Sequence, residues 1–351
     1  MTGIKAVARE AGVSIATVSN VMNKRKPVSP ELEARVNKAI AELSYSVNPV
    51  GRGLKSNKTN QIGVIVPSFS QVYFPAILQG IQQAGLTHGC TVSVFETNGN
   101  VDNEKKHVKF LEHSWVDGII LASYANSENK SDREYIWSLA EIGNQRKKIP
   151  VVSLENILGP SIDAVIVDNS KAAQIATGHL LSLGHKEIAH IAAPQKFNIG
   201  ELRLKGYKKT LEEASIPYTA KRVCEGDFSP ISGYRCMQEL IDRQVSFTAV
   251  FAANDQMAIG AMRALHERGL RIPEDVAIIG LDNNFPSTLV SPSLSSVNFP
   301  KFEMGYQAME QLFNKIAAPE KKRTVIILET ELIVRQSTSK YGDNTWDLED
   351  W

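Results

Sequence analysis

The chain has 351 residues, of which 43% are hydrophobic and 22% are charged, as is typical of a globular protein rather than a disordered or fibrous one. Its three cysteines are odd in number and lack metal-ligand spacing, and no apolar run approaches the roughly 18–20 residues that span a bilayer. The net charge of +1 is unevenly distributed, because residues 1–60 hold ten Lys or Arg and only four acidic residues. A basic end of this kind is typical of a module that binds phosphates, so a nucleic-acid partner is favoured.

Residues 7–21 are predicted to form two short helices joined by a tight turn. Apolar residues recur at helical spacing before Gly12, where a helix needs a residue that tolerates positive φ in order to end. Ser14 can cap the second helix, and Val18 and Val21 form its inner face. An ordinary helical hairpin has the same spacing, but the basic charge favours the helix-turn-helix, whose second helix enters the DNA major groove.

A third helix and a linker are predicted next. Ser29 is expected to cap a helix whose first position is Pro30. Residues 47–60 follow as a linker, and Gly51 and Gly53 argue against a stable helix there. A flexible tether is therefore the interpretation that the residues of the linker favour by themselves.

From Gln61 onward, short apolar strands alternate with amphipathic helices, which is typical of parallel, doubly wound sheets. A first series of strands is predicted at 62–66, 91–95, 118–122 and 151–154, and a second at 164–167, 188–192, 249–252 and 276–281, with helices near 76–86, 104–111, 171–183, 201–214, 232–242 and 255–268. Two such series predict two α/β lobes, in which ligands bind at the carboxyl ends of the strands. The acidic segment 341–351 has no period, so disorder is expected.

The sequence shows a candidate binding site but no catalytic constellation. Phosphate-loop, zinc-protease and nucleophile-elbow motifs are missing, so neither a cofactor nor a metal is expected. Asn254 stands where a predicted strand meets a helix, Asp282 ends another strand, and Arg203 offers a fork of donors suited to hydroxyls or a carboxylate. For each of these residues the alternative is a helix cap or a surface salt bridge.

The run Ala-Gly-Val-Ser-Ile-Ala-Thr-Val-Ser-Asn-Val-Met-Asn at 11–23 resembles the signature of the LacI/GalR family of bacterial transcriptional repressors, and the likeness continues to about Arg335. It implies an α/β fold class, with an N-terminal all-α helix-turn-helix head and a periplasmic-binding-protein-like core of two doubly wound α/β lobes. The implied divisions are a head at 1–46, a hinge at 47–60, an effector-binding and dimerisation core at 61–340, and the tail at 341–351. Lobe one takes about 61–167 and 298–327, and lobe two about 168–297 and 328–340.

The resemblance also implies which residues bind DNA. Ile15, Ala16 and Asn20 would read bases, and Leu54 would wedge into the minor groove from a hinge helix that forms only on DNA. The implied DNA-binding set is Arg9, Ser14, Ile15, Ala16, Thr17, Ser19, Asn20, Asn23, Asn48, Arg52 and Leu54.

The implied effector cleft combines polar residues with aromatic ones, as sites for sugars or bases do. Glu155 stands where relatives often have aspartate, and the equivalents of Phe197 and Phe299 vary with the ligand. A core role is the alternative for the aromatic residues. The implied set is Tyr73, Phe74, Glu155, Phe197, Arg203, Phe228, Asn254, Asp282 and Phe299.

Together these features predict a homodimeric repressor that binds an inverted-repeat operator and responds to a small effector, with a carbohydrate as the expected class. No membrane is involved, and the expected location is the bacterial cytoplasm, at the nucleoid. The first alternative is a transport-type solute-binding protein, against which the basic head and the missing secretory signal count. The second alternative is a small-molecule enzyme with the same core, but the sequence lacks the base–nucleophile pair that such an enzyme needs.

Overall fold

A computed structural model of the protein describes residues 3–23, 26–45, 58–127, 129–143 and 148–345. The chain divides into two compact units, Met1–Thr59 and Asn60–Trp351, and the predicted α/β class is confirmed. Among the described residues, no helix has the length and apolar character that crossing a bilayer requires. Most of the predicted hinge, with Asn48, Arg52 and Leu54, lies outside the described residues, as do the side chain of Asn23 and the tail from 346.

The first unit contains the predicted helix-turn-helix. Its described helices are α1 (Ile4–Glu10), α2 (Ile15–Asn23) and α3 (Pro30–Glu42). Gly12 has a φ of +63°, and the Ser14 hydroxyl accepts a hydrogen bond from the backbone N–H of Thr17 at 3.1 Å. Ser29 holds the predicted cap position of α3, but its side chain makes no capping hydrogen bond. The small apolar core comprises Val7, Ala8, Ala11, Val18, Val21, Val36 and Ala39.

The tight turn between α1 and α2 is held from α3 by an arginine. The Arg35 guanidinium donates through Nη2 to the carbonyl oxygen of Ala11 at 2.7 Å and to that of Gly12 at 3.4 Å. These carbonyls belong to the end of α1 and the turn, so a cation there also compensates the negative end of the helix dipole. The contact fixes the turn that orients α2.

We expect Gly12→Ala to loosen this turn. A Cβ at Gly12 would lie 2.6 Å from Arg35 Nη2, and the left-handed backbone costs a non-glycine residue about 1–2 kcal/mol. Hydrogen exchange of the α2 amides in the full chain should therefore accelerate by about tenfold. Gly3→Ala is the matched control, because nothing lies within 4 Å of the Cβ position there. Equal exchange in the two variants would contradict the role assigned to the turn.

The second unit contains two six-stranded sheets with the same strand order. The first sheet consists of β1 (Gln61–Val66), β2 (Thr91–Glu96), β3 (Gly118–Ala122), β4 (Val151–Leu154), β5 (Asp163–Val167) and β11 (Val325–Leu328), in the order β11-β5-β4-β3-β1-β2. The second consists of β6 (Ile188–Ala192), β7 (Val223–Glu225), β8 (Ala249–Ala252), β9 (Ala277–Asp282), β10 (Ser295–Asn298) and β12 (Glu331–Ile333), in the order β12-β10-β9-β8-β6-β7. Neighbouring strands in these two sheets run parallel, except β10 and β12, which are antiparallel.

Helices cover the sheets and link their strands. They are α4 (Tyr73–Thr87), α5 (Val101–His113), α6 (Lys130–Leu139), α7 (Asn169–Ser182), α8 (Asn198–Glu213), α9 (Pro230–Asp242), α10 (Asp255–Glu267), α11 (Pro286–Leu289) and α12 (Lys301–Ala317). A short 3₁₀ turn at Ala220–Arg222 precedes β7. The chain passes between the sheets after β5, after β10 and after β11. We call the sheet of β1 and its helices lobe one, and the sheet of β6 and its helices lobe two.

The structure corrects the grouping of one predicted strand. The strand pattern places 164–167 in the second series, whereas the division implied by the resemblance places residues up to 167 in lobe one. β5 pairs in parallel with β4 and β11 in lobe one, with Ala164 opposite Ser153. The residues of a short apolar strand do not indicate which sheet the strand joins. Strands at 223–225, 295–298, 325–328 and 331–333 were not predicted, because they are short and partly polar or exposed.

The start of the acidic tail is ordered, contrary to expectation. Asp343 forms a β-bridge with Arg335, its N–H donates to the carbonyl oxygen of Val334 at 3.1 Å, and its carbonyl accepts from the Ser293 hydroxyl at 3.0 Å. Residues 341–345 therefore fold back on lobe two. Backbone pairing of this kind depends little on side-chain period, so the sequence pattern did not reveal it.

Candidate functional site

A small cavity lies between the lobes, at the carboxyl ends of both sheets. It is lined by Gln71, Tyr73, Tyr124, Glu155, Ile199, Arg203, Phe228, Asn254, Gln256 and Asp282, and its volume is about 20 Å³. Six of these ten residues were predicted from the sequence, and they come from both lobes. The volume is close to that of one water molecule, so the cleft is nearly filled by its own side chains.

Arg203 is the central cation of the cleft. It lies on α8 and is only 3% exposed. Its Nε donates to Asn169 Oδ1 at 2.8 Å, its Nη1 donates to the carbonyl oxygen of Ala253, and its Nη2 lies 3.8 Å from Asp282 Oδ1. The guanidinium is therefore oriented by neutral acceptors and faces a carboxylate. The alternative for this residue was a surface salt bridge, which does not agree with so buried a side chain.

Two carboxyl groups face this cation. Burial raises the pKa of Glu155 to about 7, although the Arg203 charge and a hydrogen bond with Tyr73 oppose the rise. Burial likewise raises the pKa of Asp282, and the neighbouring Asp255 charge adds to the rise while Arg203 opposes it. Within the described part of the chain, Asp282 Oδ1 has no hydrogen-bond donor. Buried acceptors are normally satisfied, so this oxygen is suited to a donor group on a ligand.

The turn that carries Asp282 is held in place by a buried lysine that the sequence analysis missed. Asp282 and Asn283 have positive φ values of 100° and 50°. Lys301 Nζ donates to the carbonyl oxygens of Asp282 at 2.6 Å, Asn283 at 2.9 Å and Phe299 at 3.4 Å. Such a strained turn persists only where its surroundings fix it. Nothing in the spacing of the sequence pointed to Lys301.

Asn254 serves as a helix cap as well as a cleft residue. Its Oδ1 accepts from the N–H of Met257 at 2.9 Å, and its Nδ2 donates to the carbonyl oxygen of Phe228 at 3.1 Å. The alternative of a helix cap is therefore observed at Asn254, which also lines the cavity, and its contact with a ligand stays a prediction. The next residue, Asp255, accepts hydrogen bonds from the Ser296 hydroxyl, the Ser287 hydroxyl and the Asn284 N–H.

The predicted aromatic residues divide into two groups. Tyr73 and Phe228 line the cavity, and Phe197 packs beside it against Tyr124, with a centroid distance of 4.2 Å. Phe74 and Phe299 are buried behind Tyr73, with ring centroids 5.3 and 6.3 Å from it. Their predicted contact with a ligand is therefore not supported by the geometry, and the alternative of a core role describes them better.

Hydrogen bonds across the cleft join the lobes. The N–H of Val72 in lobe one donates to Gln256 Oε1 in lobe two at 3.2 Å, and Asn198 Nδ2 in lobe two donates to Asn156 Oδ1 in lobe one at 3.1 Å. Gln71, Tyr124, Ile199 and Gln256 line the cavity but were not predicted. The position of Tyr124 just beyond the end of β3 was the available signal, because ligands in such sheets meet the ends of strands.

The start of α2 is the candidate nucleic-acid interface of the head. Ile15 is 44% exposed, and Ala16, Ser14 and Arg9 are also exposed, although Ser14 is occupied as the cap. Thr17, Ser19 and Asn20 are half-buried. A helix whose exposed first turn carries small and apolar side chains is suited to contact with thymine methyl groups.

Comparison with known proteins places both units in one family. The chain matches the family described as "Bacterial regulatory proteins, lacI family" over residues 3–48, and the family described as "Periplasmic binding protein-like domain" over residues 177–338. The "HTH-type transcriptional repressor PurR" of Pasteurella multocida (strain Pm70) is 36% identical over 96% of this chain and 98% of its own length. The protein of the same name from Mannheimia succiniciproducens is 34% identical over 97% of this chain and 99% of its own.

Solved structures give the same result. The lac repressor dimer bound to operator and the anti-inducer ONPF has a TM-score of 0.84 at 29% identity, covering 95% of this chain and 97% of its own. The complex of the transcriptional regulator CelR with cellobiose has a TM-score of 0.72 at 31% identity, covering 96% of this chain and 100% of its own. The similarity therefore extends over head and core together.

Proposed function

Because the chain belongs to the LacI family of bacterial regulatory proteins, we propose that it is a transcriptional repressor whose affinity for operator DNA is set by a small molecule bound between the lobes of its core. The observation that carries this proposal is the combination, in one chain, of a lacI-type head with a cleft in which both lobes surround Arg203. A regulatory role, rather than catalysis, follows from relatives that are named as repressors. Its place of action is then the bacterial cytoplasm, at the nucleoid.

The chemistry of the cleft favours a sugar or sugar derivative as the effector. Glu155 and Asp282 offer acceptors to hydroxyl groups, Arg203 offers donors, and Tyr73 and Phe228 offer ring faces for stacking. The relative solved with cellobiose supports this class. A thermal-shift screen against sugars, sugar phosphates and nucleobases tests it, because a ligand that binds the folded state raises the melting temperature.

A homodimer is the assembly that the proposed function needs. The lac repressor was solved as a dimer on its operator. In the present chain, β2 is an edge strand of the first sheet, Val94 on it is 37% exposed, and Phe110 on the neighbouring α5 is 57% exposed. Exposed apolar groups beside an unpaired strand edge favour burial against a second copy.

We expect the protein to protect a pseudo-palindromic duplex. Two-fold protein symmetry requires two half-sites, with centres about one helical turn, or roughly 10 bp, apart. Duplexes selected from random DNA by the full-length protein would be footprinted at several salt concentrations. Asn20→Ala should weaken specific binding more than non-specific binding. Lys38→Ala, on α3 of the same head, is the matched control. Protection of a single asymmetric half-site by a monomer would contradict the proposal.

A further inference from the structure

The side chain of Tyr124 packs against the opposite lobe, and the proposed function does not explain this contact. The residue follows β3 in lobe one, yet its ring is flanked by two aromatic rings of lobe two. The ring centroid lies 4.2 Å from that of Phe197, with an interplanar angle of 29°, and 6.2 Å from that of Phe228, with an angle of 24°. Stacked aromatic faces are the means by which proteins hold the flat ring of a ligand.

The hydroxyl of Tyr124 is placed among the polar groups of the cleft. Gln71 Nε2 donates to it at 3.3 Å, so the hydroxyl has a partner within its own lobe. Burial raises the pKa of Tyr124, which therefore stays neutral and keeps its proton as a donor. The side chain thus presents to lobe two a flat ring with one polar group on its edge, which are the features of a small ring-shaped ligand.

The ring also takes the space that a ligand would need. Tyr124 is 8% exposed and lines the cavity, whose volume is only about 20 Å³. The hydrogen bonds of Val72 to Gln256 and of Asn198 to Asn156 join the lobes around it. A six-membered ring cannot stack on the face of Phe197 that the Tyr124 ring covers.

We propose that Tyr124 is a built-in competitor of the effector, whose ring holds the lobes together by occupying the position that an effector's ring takes. The effector is then a molecule with one flat-faced ring and a polar group on its edge, and binding requires Tyr124 to leave. The residue at 124 consequently sets both the affinity and the size of ring that the cleft accepts. The inference depends on the proposed function only for the identity of the cleft as the effector site.

The first test measures the closure of the lobes in the full-length protein without an effector. Hydrogen exchange of the Val72 amide reports closure, because its N–H donates to Gln256 across the cleft. We expect Tyr124→Ala to accelerate this exchange by about tenfold, since it removes two aromatic contacts. Tyr124→Phe should leave it nearly unchanged, because the ring remains. The Ile119 amide, which donates to the carbonyl oxygen of Pro150 within lobe one, should not change in either variant.

The matched control is another buried tyrosine of lobe one. Tyr135 is also 8% exposed, but its hydroxyl donates to Glu104 Oε1 at 2.9 Å, away from the cleft. Tyr135→Ala therefore creates a comparable cavity without disturbing the lobe contacts, and Val72 exchange should remain at its wild-type rate. If Tyr124→Ala does not fold, Tyr124→Leu fills most of the volume without a ring and replaces it in the comparison.

The second test uses p-cresol, which is the missing side chain as a free molecule. Millimolar p-cresol should restore slow Val72 exchange in Tyr124→Ala and should leave the wild type and Tyr135→Ala unaffected at this amide. Unchanged exchange in Tyr124→Ala, or no response to p-cresol, would overturn the inference. Because neither measurement involves DNA, such a failure would leave the proposed repressor function standing, and a failed operator footprint would leave this inference standing.

The third test uses a ligand identified by the thermal-shift screen. If Tyr124 competes with it, Tyr124→Ala should bind that ligand about tenfold more tightly than the wild type, because no closed form has to be opened first. Weaker binding by Tyr124→Ala would show that the tyrosine contacts the ligand directly, and would overturn the inference.

Discussion

Arg203→Met should lower the free energy of unfolding of the core by about 3–5 kcal/mol near pH 9, where the facing carboxyl groups are ionised, because removing one partner of a buried charge pair leaves the other uncompensated. The substitution keeps much of the side-chain volume but leaves Asp282 and Glu155 without their central cation. It also leaves the acceptors on Asn169 and Ala253 without the Arg203 donors. Urea unfolding of the full chain, followed by circular dichroism, measures the loss.

The cause of this loss can be identified from its pH dependence. A carboxyl whose folded pKa is raised binds its proton more tightly in the folded state, so stability falls as the pH rises above the unfolded value of about 3.9. Without Arg203, the pKa of Asp282 should rise further, and the difference from the wild type should shrink near pH 4. Arg203→Met/Asp282→Asn should recover part of the stability near pH 9, where Asp282 is ionised. A loss that is independent of pH and of Asp282 would show that packing, rather than charge, is responsible.

Gly305→Ala should cost several kcal/mol by forcing two helices apart. A Cβ at Gly305 on α12 would overlap the carbonyl oxygen of Ile77 on α4, and one at Gly80 on α4 would overlap that of Phe302 on α12. The contact on each side is backbone, which cannot move without its helix, so the cost should exceed the roughly 1–3 kcal/mol of ordinary overpacking. The midpoint of urea unfolding measures it.

Gly178→Ala is the control for this variant. Gly178 lies within α7, and nothing lies within 4 Å of its Cβ position. Alanine should therefore stabilise the helix slightly, by roughly 0.5–1 kcal/mol. If both alanines changed stability equally, helix propensity would account for the result and the close approach of α4 and α12 would not.

The sequence predicted the helix-turn-helix and most core strands because their signals are local. Gly12 and Ser14 act within one turn of chain, and a run such as Gly118–Ala122 is buried whichever strand lies beside it. Strand partners are not local, which is why the strand pattern grouped 164–167 with the wrong series. The short polar strand Ser295–Asn298 is buried by tertiary contacts, which cannot be predicted from its own residues.

Cleft residues were predicted where the chemistry of the side chain by itself suggests ligand binding. They were missed where the role of the residue depends on its position in the fold. Glu155 and Asp282 lie at strand ends and Arg203 lies on α8, and the structure places these three charged residues together. Tyr124 and Lys301 were missed, because a tyrosine or a lysine has many ordinary roles and their contacts here come from other elements. Phe74 and Phe299 were predicted to contact the ligand but are buried behind Tyr73, since an aromatic pattern does not separate lining residues from core residues.

The interleaved connections of the two lobes also determine when the protein becomes functional as it is synthesised. The described apolar core of the head is formed by residues between Ile4 and Tyr45, whereas the first sheet gains its last strand, β11, only at Val325–Leu328. At translation rates of about 5–20 residues per second, roughly half a minute separates these two points. During that interval a ribosome carries a head without a finished lobe one. If the protein acts as the proposed dimer, a nascent chain is thus kept from two-fold operator binding until nearly all of it has been made.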